Sequence, residues 1–413
     1  MKLPGHSCFA LIALTFFSYS NAAFSQETKV DWVKDLNAIV EQLPEKHVDF
    51  FDQLDKSDFR KMADEVRRKF ESGIGDAEAS IELMRLINLC KDGHTTLVPN
   101  FTYFRYYPIN VRWFDDGLFI VNADIKLRNW IGWEIVKVGD KNVPEIAKAC
   151  KPFMAHDNEF GFRNRFERDF NTADYLKFSG GAKNNRSVEL TLKKDGKTET
   201  IELTSFPQSE LASSIRWSYR PKTVALYQKK GNLDFWNDWI ADKQTVYFKY
   251  NRCRDANGFS RLVAGTRGFI EGQDVEKFVV DLRDNGGGNS SVFRPLLQYL
   301  KDSDLNRKGK LFVIVGRKTY SSGMWNAIEL KTQTNATIIG EPTGGRPNHF
   351  GEIRPLVLPS SKLKVYYSTR RWNLMKGSKA DSLEPDLRIK FNSSDFFQGK
   401  DPWLDAVFDP PKK

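Results

Sequence analysis

Along the first hundred residues the apolar positions recur at helical spacing. Trp32, Leu36, Ile39, Val40 and Leu43 fall at i, i+4, i+7, i+8 and i+11, on one helix face. A second amphipathic stretch covers roughly Lys56 to Phe70, and a third runs from Ala79 to Cys90. Residues 28–97 therefore predict a small helical module. From Phe101 the period shortens. "YYPINVRWFDDGLFIVNA" predicts two short strands about an Asp-Asp-Gly turn, and "RSVELTLKKDGKTETIEL" predicts a hairpin about Lys-Asp-Gly. Between them, "NWIGWEIVKVGDKNVPEIAKAC" predicts a strand, a Gly-Asp turn and a short helix with Pro144 and Glu145 in its first turn. Residues 101–205 thus read as a β-rich domain with at least one helix.

Beyond "SFPQSE" the pattern becomes strand, turn, helix, repeated. "QTVYFKYN" precedes the helical "FSRLVAGTRGFIEGQ", and "KFVVDLRDNGGGNSSVFRPLLQYL" is a buried strand, a glycine-rich turn and a helix. "KLFVIVGRKTYSSGMWNAIEL" repeats the unit, "ATIIGEPTGG" gives another strand and turn, and "LKVYYSTRRW" closes the series. Such repeats predict an α/β core over 206–413 with ligand-facing turns at strand ends.

The chain opens differently. Lys2, the apolar block "CFALIALTFF" and the small residues of "SNAAFS" follow the order of a secretory signal peptide, with cleavage after Ala22 or Ser25. The apolar block is too short to span a bilayer, and no later segment nears the ~20 apolar residues a spanning helix needs. The expectation is residues 1–25 as signal, a helical module over 26–100, and a mature protein that is periplasmic or secreted, with no membrane span.

Charge changes this picture little. Sixty-three basic residues against 53 acidic give +10, but they stand in short groups such as "KKDGK" and "YRPK" rather than in a tract, which argues against a nucleic-acid partner. Past the signal three cysteines remain, Cys90, Cys150 and Cys253, without a Cys-x-x-Cys pair, so a structural metal site is not expected. One disulfide at most is possible, and a pairing of Cys150 with Cys253 stays open.

Chemistry concentrates at the turns. Ser321 and Ser322 stand where a strand gives way to a helix, near unpaired amides and the positive end of the helix dipole. A serine there is ordinarily a helix cap; the same surroundings also stabilise an alkoxide and an oxyanion. Gly286, Gly287 and Gly288 let a backbone approach a ligand closely, and the spacing fits no phosphate-binding motif. A nucleophilic serine needs a base. Four histidines follow the signal: His47, His94, His156 and His349. His94, in "KDGHTTLVP" at the junction of helical and β regions, is the first candidate, and His349 in "GGRPNHFGE" is its rival.

These segments resemble the tail-specific, or C-terminal-processing, serine peptidases, including the tricorn-type core. "VVDLRDNGGGNSS" resembles the family's Asp-Leu-Arg-x-Asn-x-Gly-Gly segment, "VIVGRKTYSSGMWNAIEL" its nucleophile segment, "TIIGEPTGGRPNHFGE" its Gly-Glu-x-Thr-x-Gly-Lys segment and "SLEPDLRI" its Pro-Asp signature. "YYPINVRWFDDGLFIV…IGWEIVKVGDKNV" is similar to its PDZ-like domain. The resemblance implies an α+β multidomain fold: a helical N-terminal module, a PDZ-like β domain and a crotonase-like α/β core. It implies Ser321 as nucleophile, with the amide of Ser322 and one from Gly286 or Gly287 as the oxyanion hole. Where the common branch has its lysine base this chain has Arg346, which stays protonated and cannot accept the proton. The tricorn-type branch uses a histidine from the N-terminal side, which implies His94 as base. A third group near the C-terminal signature would be Glu384 or Asp381. Arg346 and His349 are left as substrate-binding candidates.

Two function classes follow. The first is an exported serine peptidase acting on peptide or protein substrates, with no metal or organic cofactor. The second, supported by the missing lysine, is a non-catalytic peptide- or ligand-binding protein on the same fold.

Overall fold

A computed structural model describes residues 29–217 and 223–410; the segment read as a signal peptide lies outside them. The three anticipated helices form at Trp32–Lys46, Lys56–Glu71 and Asp76–Asn88. Trp32, Leu36, Ile39 and Leu43 are buried on one face of the first, and Asp31 caps it by accepting from the Lys34 amide.

The middle region is an antiparallel sheet ordered Ile109–Phe114, Gly117–Ala123, Glu134–Val138, Ser187–Lys194 and Lys197–Thr204. The short helix Val143–Cys150 starts with a capping box between Asn142 and Glu145 and carries Pro144 in its first turn. Two further helices follow: Glu159–Asp169 packs on strand Ile109–Phe114, and Ala173–Phe178 on the helix Val143–Cys150. Along the first only Phe162 and Phe166 are buried, a stripe too thin for a helical period to stand out in the sequence.

The third region is a six-stranded sheet ordered Phe235–Ile240, Thr245–Tyr250, Lys277–Asp281, Leu311–Val315, Thr337–Gly340 and Leu387–Arg388. All neighbours are parallel except the first pair. Thr245–Tyr250 and Leu311–Val315 are buried at every position, as strands covered by helices on both faces must be. The helices Ala256–Glu271, Arg294–Asp302 and Ser322–Gln333 supply the crossovers. The whole is a mixed α/β multidomain architecture.

One strand has a different partner from the one its sequence position suggests. "LKVYYSTRRW" does not extend the α/β sheet. Strand Lys364–Asn373 pairs with Asn348–Val357 on one side and with Thr96–Val98 on the other, forming a separate three-stranded sheet. Leu356, Leu358 and Val365 of this hairpin share one core with Leu36, Leu83 and Leu97 of the helical module and Ile120 and Phe166 of the middle region. The amides of Ser360 and Ser361 reinforce the join by donating to buried Asp35 at 2.7 and 2.9 Å.

The three cysteines among the described residues, Cys90, Cys150 and Cys253, are free and buried. Cys150 belongs to the core shared by the helical and middle regions and Cys253 to that of the α/β sheet, so the two do not pair. Burial pushes the Cys150 thiol up to about 12. No helix among the described residues is long and apolar enough to cross a membrane.

Candidate active site

The serine turn sits at the carboxyl end of strand Leu311–Val315, where open α/β sheets present their ligand sites. Thr319 Oγ1 stitches it down, accepting from the Gly316 amide at 3.0 Å and donating to Leu282 O at 2.8 Å. The Tyr320 amide donates to Asn285 O at 3.0 Å. The chain then makes one abrupt step: Ser321 has φ +49° and ψ −126°, and the helix begins at Ser322. A non-glycine residue in such a conformation costs about 1–3 kcal/mol and persists only where its surroundings hold it. The Ser321 side chain makes no capping hydrogen bond. Ser322 Oγ, by contrast, donates to Gly288 O at 2.7 Å. One hydroxyl is thus tied down and the other caps nothing.

The glycine turn lies directly against this step. Gly287 has φ +107°, and a Cβ there would stand 2.8 Å from Ser321 Cβ and 3.1 Å from the Ser322 nitrogen, so only glycine fits. Its amide donates to Asn285 Oδ1 at 2.9 Å. The amides of Gly286 and Ser322 donate to no protein acceptor among the described residues. Both amides are therefore available to an oxyanion, and of Gly286 and Gly287 it is Gly286 whose donor is free.

Beneath the turn is a buried charge network. Lys249 Nζ lies 3.1 Å from Asp281 and 2.8 Å from Asp284, and Arg283 bridges Asp281 and Asp401, each at 2.8 Å. Burial alone would raise the Asp281 carboxyl; Arg283, Lys249 and the Tyr247 hydroxyl outweigh it and hold it below the ordinary carboxylate range. Asp284 is held down in the same way, by Lys249 and Lys318 against burial. Two clefts of about 700 and 660 Å³ flank the turn, sharing Asp284, Gly286 and Lys318 in their walls.

His94 reaches the site from the other side of the molecule. It stands in a turn ahead of strand Thr96–Val98, fixed by Asp92. Asp92 accepts from the His94 amide at 2.9 Å, from Thr95 Oγ1 at 2.5 Å, and from Ser368 Oγ on the hairpin at 2.6 Å. His47 completes the set: its Nδ1 accepts from the Asp49 amide at 3.0 Å, so its Nε2 carries the proton and donates to Asp92 at 3.1 Å. Against the cost of burial, these donors and the nearby His94 keep the Asp92 carboxyl well below its usual range. The His94 ring stacks on Tyr320 with centroids 4.5 Å apart and on His349 at 5.5 Å. Its Nδ1 meets the Tyr320 hydroxyl at 2.9 Å, and its Nε2 is buried without a partner among the described residues. His349 is buried, and burial together with His94 lowers its pKa.

His94 and His349 are brought together with Tyr320, the residue preceding Ser321, and the glycine turn lies against Ser321 itself; Ser321 Oγ makes no hydrogen bond to either histidine among the described residues. The proposed third groups make other contacts. Glu384 is exposed and accepts from Ser382 Oγ at 2.6 Å; Asp381 is exposed and pairs with Arg346 Nε at 3.1 Å. Neither is hydrogen-bonded to His94 among the described residues. The Arg346 guanidinium thus lies in ion-pair range of Asp381 without a hydrogen bond at Nε, and its amide donates to Asp157 at 3.4 Å. Sequence reasoning passed over Tyr320, Asp92, Asp157 and His47. The available signals were an aspartate two places before the candidate base and a tyrosine immediately before the serine pair.

Donor atoms of Asp92, His94 and Asp157 lie within 4.8 Å of one another. Both Asp92 oxygens accept from protein donors, and Asp157 accepts from the Gly93 amide at 2.7 Å, so hydrogen bonds within the protein account for the grouping.

Three carboxylates with depressed pKa values, Asp92, Asp281 and Asp284, set a pH expectation. Their stabilisation is fully present above the unfolded carboxylate value of ~3.9 and is lost as pH falls below it towards their folded values. Thermal melts should show Tm falling steeply below pH ~4; a Tm that holds constant from pH ~5 to ~2.5 would contradict this.

Residues 247–389 match the sequence model of Peptidase family S41. Mature CPAF complexed with lactacystin superimposes with a TM-score of 0.63 at 12% identity, covering 92% of this chain and 97% of that one. A further structure of mature CPAF gives 0.61 at 12% identity, over 92% and 95%. At such identity the likeness is one of fold. A comparison with curated proteins gives no match. The strand–turn–helix stretch 247–389, which carries both the glycine turn and Ser321, is a Peptidase family S41 domain.

Proposed function

We propose that this chain is an exported serine-type peptidase working through Ser321 and His94. Ser321 Oγ attacks a peptide carbonyl while its proton passes to His94 Nε2. The oxyanion is held by the amides of Ser322 and Gly286. Collapse of the tetrahedral intermediate expels the amine, which takes the proton back from the imidazolium. Water then enters by the same route, and the acyl-enzyme is hydrolysed.

The observation that carries this reading is the state of the two hydroxyls. Ser322 is bonded to Gly288, whereas Ser321 stands in a strained conformation with its side chain uncommitted, one peptide bond from the tyrosine on which His94 stacks. The S41 match over the same residues supports peptide bonds as the target. On this reading the six-stranded middle sheet is the PDZ-like unit, whose exposed edge Lys197–Thr204 suits addition of an extended peptide strand. The six-stranded α/β sheet is the crotonase-like core. Export rests on residues 1–25 and is checked by the N-terminal sequence of the mature protein.

The test is a fluorophosphonate probe followed by tryptic mapping. Cleavage after Lys318 and Lys331 yields the peptide "TYSSGMWNAIELK", and fragment ions should place the adduct on Ser321. A protein that takes no label, or takes it on Ser322, overturns the assignment.

A further inference from the structure

This inference rests on the Ser321–His94 reading and concerns what orients the imidazole. A histidine base needs one ring nitrogen fixed as a donor so that the other presents its lone pair. Glu384 and Asp381 are engaged with Ser382 and Arg346. What His94 Nδ1 meets is the Tyr320 hydroxyl, at 2.9 Å. That hydroxyl is also a side-chain partner of Asp157. The convergence is tight: a Cβ built on Gly93 would lie 2.5 Å from the Tyr320 oxygen and 2.6 Å from Asp157 Oδ1. Asp157 is 4% exposed, and its other contacts are the amides of Gly93 at 2.7 Å and Arg346 at 3.4 Å.

The direction of each bond follows from what each group can do. An ionised carboxylate only accepts, so a phenol placed between it and an imidazole donates to the carboxylate. Its own oxygen is then free to accept from Nδ1–H. This sets the ring as the Nδ1–H tautomer and leaves a lone pair on Nε2, the nitrogen that is buried without a protein partner. The geometry points to Asp157 and Tyr320 as a positioning relay for His94, filling the place of the acid in a serine triad. Tyr320 is suited to it. Burial, Asp157 and Asp92 all push its hydroxyl up, so it stays protonated and serves as a fixed dipole. Because Tyr320 precedes Ser321 directly, one turn holds both the nucleophile and the group that aims its base.

The experiment is ring ¹⁵N NMR of the full chain with labelled histidine, His94 being assigned by its loss in His94→Gln, alongside the rate of fluorophosphonate acylation. The parent should show His94 protonated on Nδ1. In Tyr320→Phe, which keeps the stacked ring and removes the hydroxyl, that tautomer should be lost and acylation should slow about tenfold to a hundredfold, with circular dichroism unchanged. Asp157→Asn carries the same expectation and serves if Tyr320→Phe does not fold. A parent acylated normally, with Tyr320→Phe equally fast and His94 already protonated on Nε2, sinks the relay alone. A parent that is never acylated at Ser321 removes the underlying reading and the relay with it.

Discussion

Ser321→Ala is expected to lower kcat/KM by about 10⁴-fold or more while leaving the melting temperature almost unchanged. Removing a nucleophile from a serine mechanism leaves only the contribution of binding and of the oxyanion hole. No stability is lost with it, because Ser321 Oγ makes no capping bond and an alanine Cβ meets the same neighbours. Ser321→Gly separates the two effects further. At φ +49° a glycine relieves strain that serine and alanine share, and the gain of about 1 kcal/mol should raise Tm by roughly 2–4 °C. The glycine variant should be as inactive as the alanine one and more stable than the parent. Peptide hydrolysis by Ser321→Ala above about 1% of the parental rate would remove this serine from the mechanism.

The largest stability effect is expected at Lys249. Its side chain is fully buried between Asp281 and Asp284, and Asp281 is itself buried. Lys249→Met has nearly the right volume but strands the carboxylates. Breaking a buried pair by removing one partner costs about 3–5 kcal/mol, which is roughly 10 °C in Tm for domains of this size. The double variant Lys249→Met/Asp281→Asn should recover part of the loss, since less uncompensated charge remains. Because Asp284 also walls both clefts beside Gly286, acylation of Ser321 should slow in the single variant even below its melting point. A Tm within about 2 °C of the parent would mean that the network is relaxed by water or rearrangement and does not bear on the turn.

Local pattern carried much of this molecule. The helix Trp32–Lys46 follows from its five apolar positions, and the Asp-Asp-Gly and Lys-Asp-Gly hairpins from turn chemistry. What local pattern cannot carry is pairing across long separations. Nothing in "LKVYYSTRRW" says that its neighbour is Thr96–Val98, because any edge of suitable polarity would satisfy its backbone. The serine pair was ambiguous for a related reason. A serine before a helix is usually a cap, and the choice depends on a backbone angle held by Gly287, 34 residues away in sequence. The family resemblance points to an orienting group near the C-terminal signature, at Glu384 or Asp381. The contacts of His94 come instead from Tyr320 and Asp92, whose roles appear only when the two halves of the chain meet.

That meeting has a consequence for synthesis. Ser368 Oγ, which helps to fix Asp92 beneath the His94 turn, lies 276 residues further along the chain. A ribosome releases these two partners at widely separate moments, so a polypeptide that stops short of Lys364 carries Ser321 but lacks the strand and the Ser368 hydroxyl that brace Asp92 beneath the His94 turn. On the proposed mechanism, chains cut short of this strand are therefore expected to hydrolyse peptides more slowly than the full-length chain.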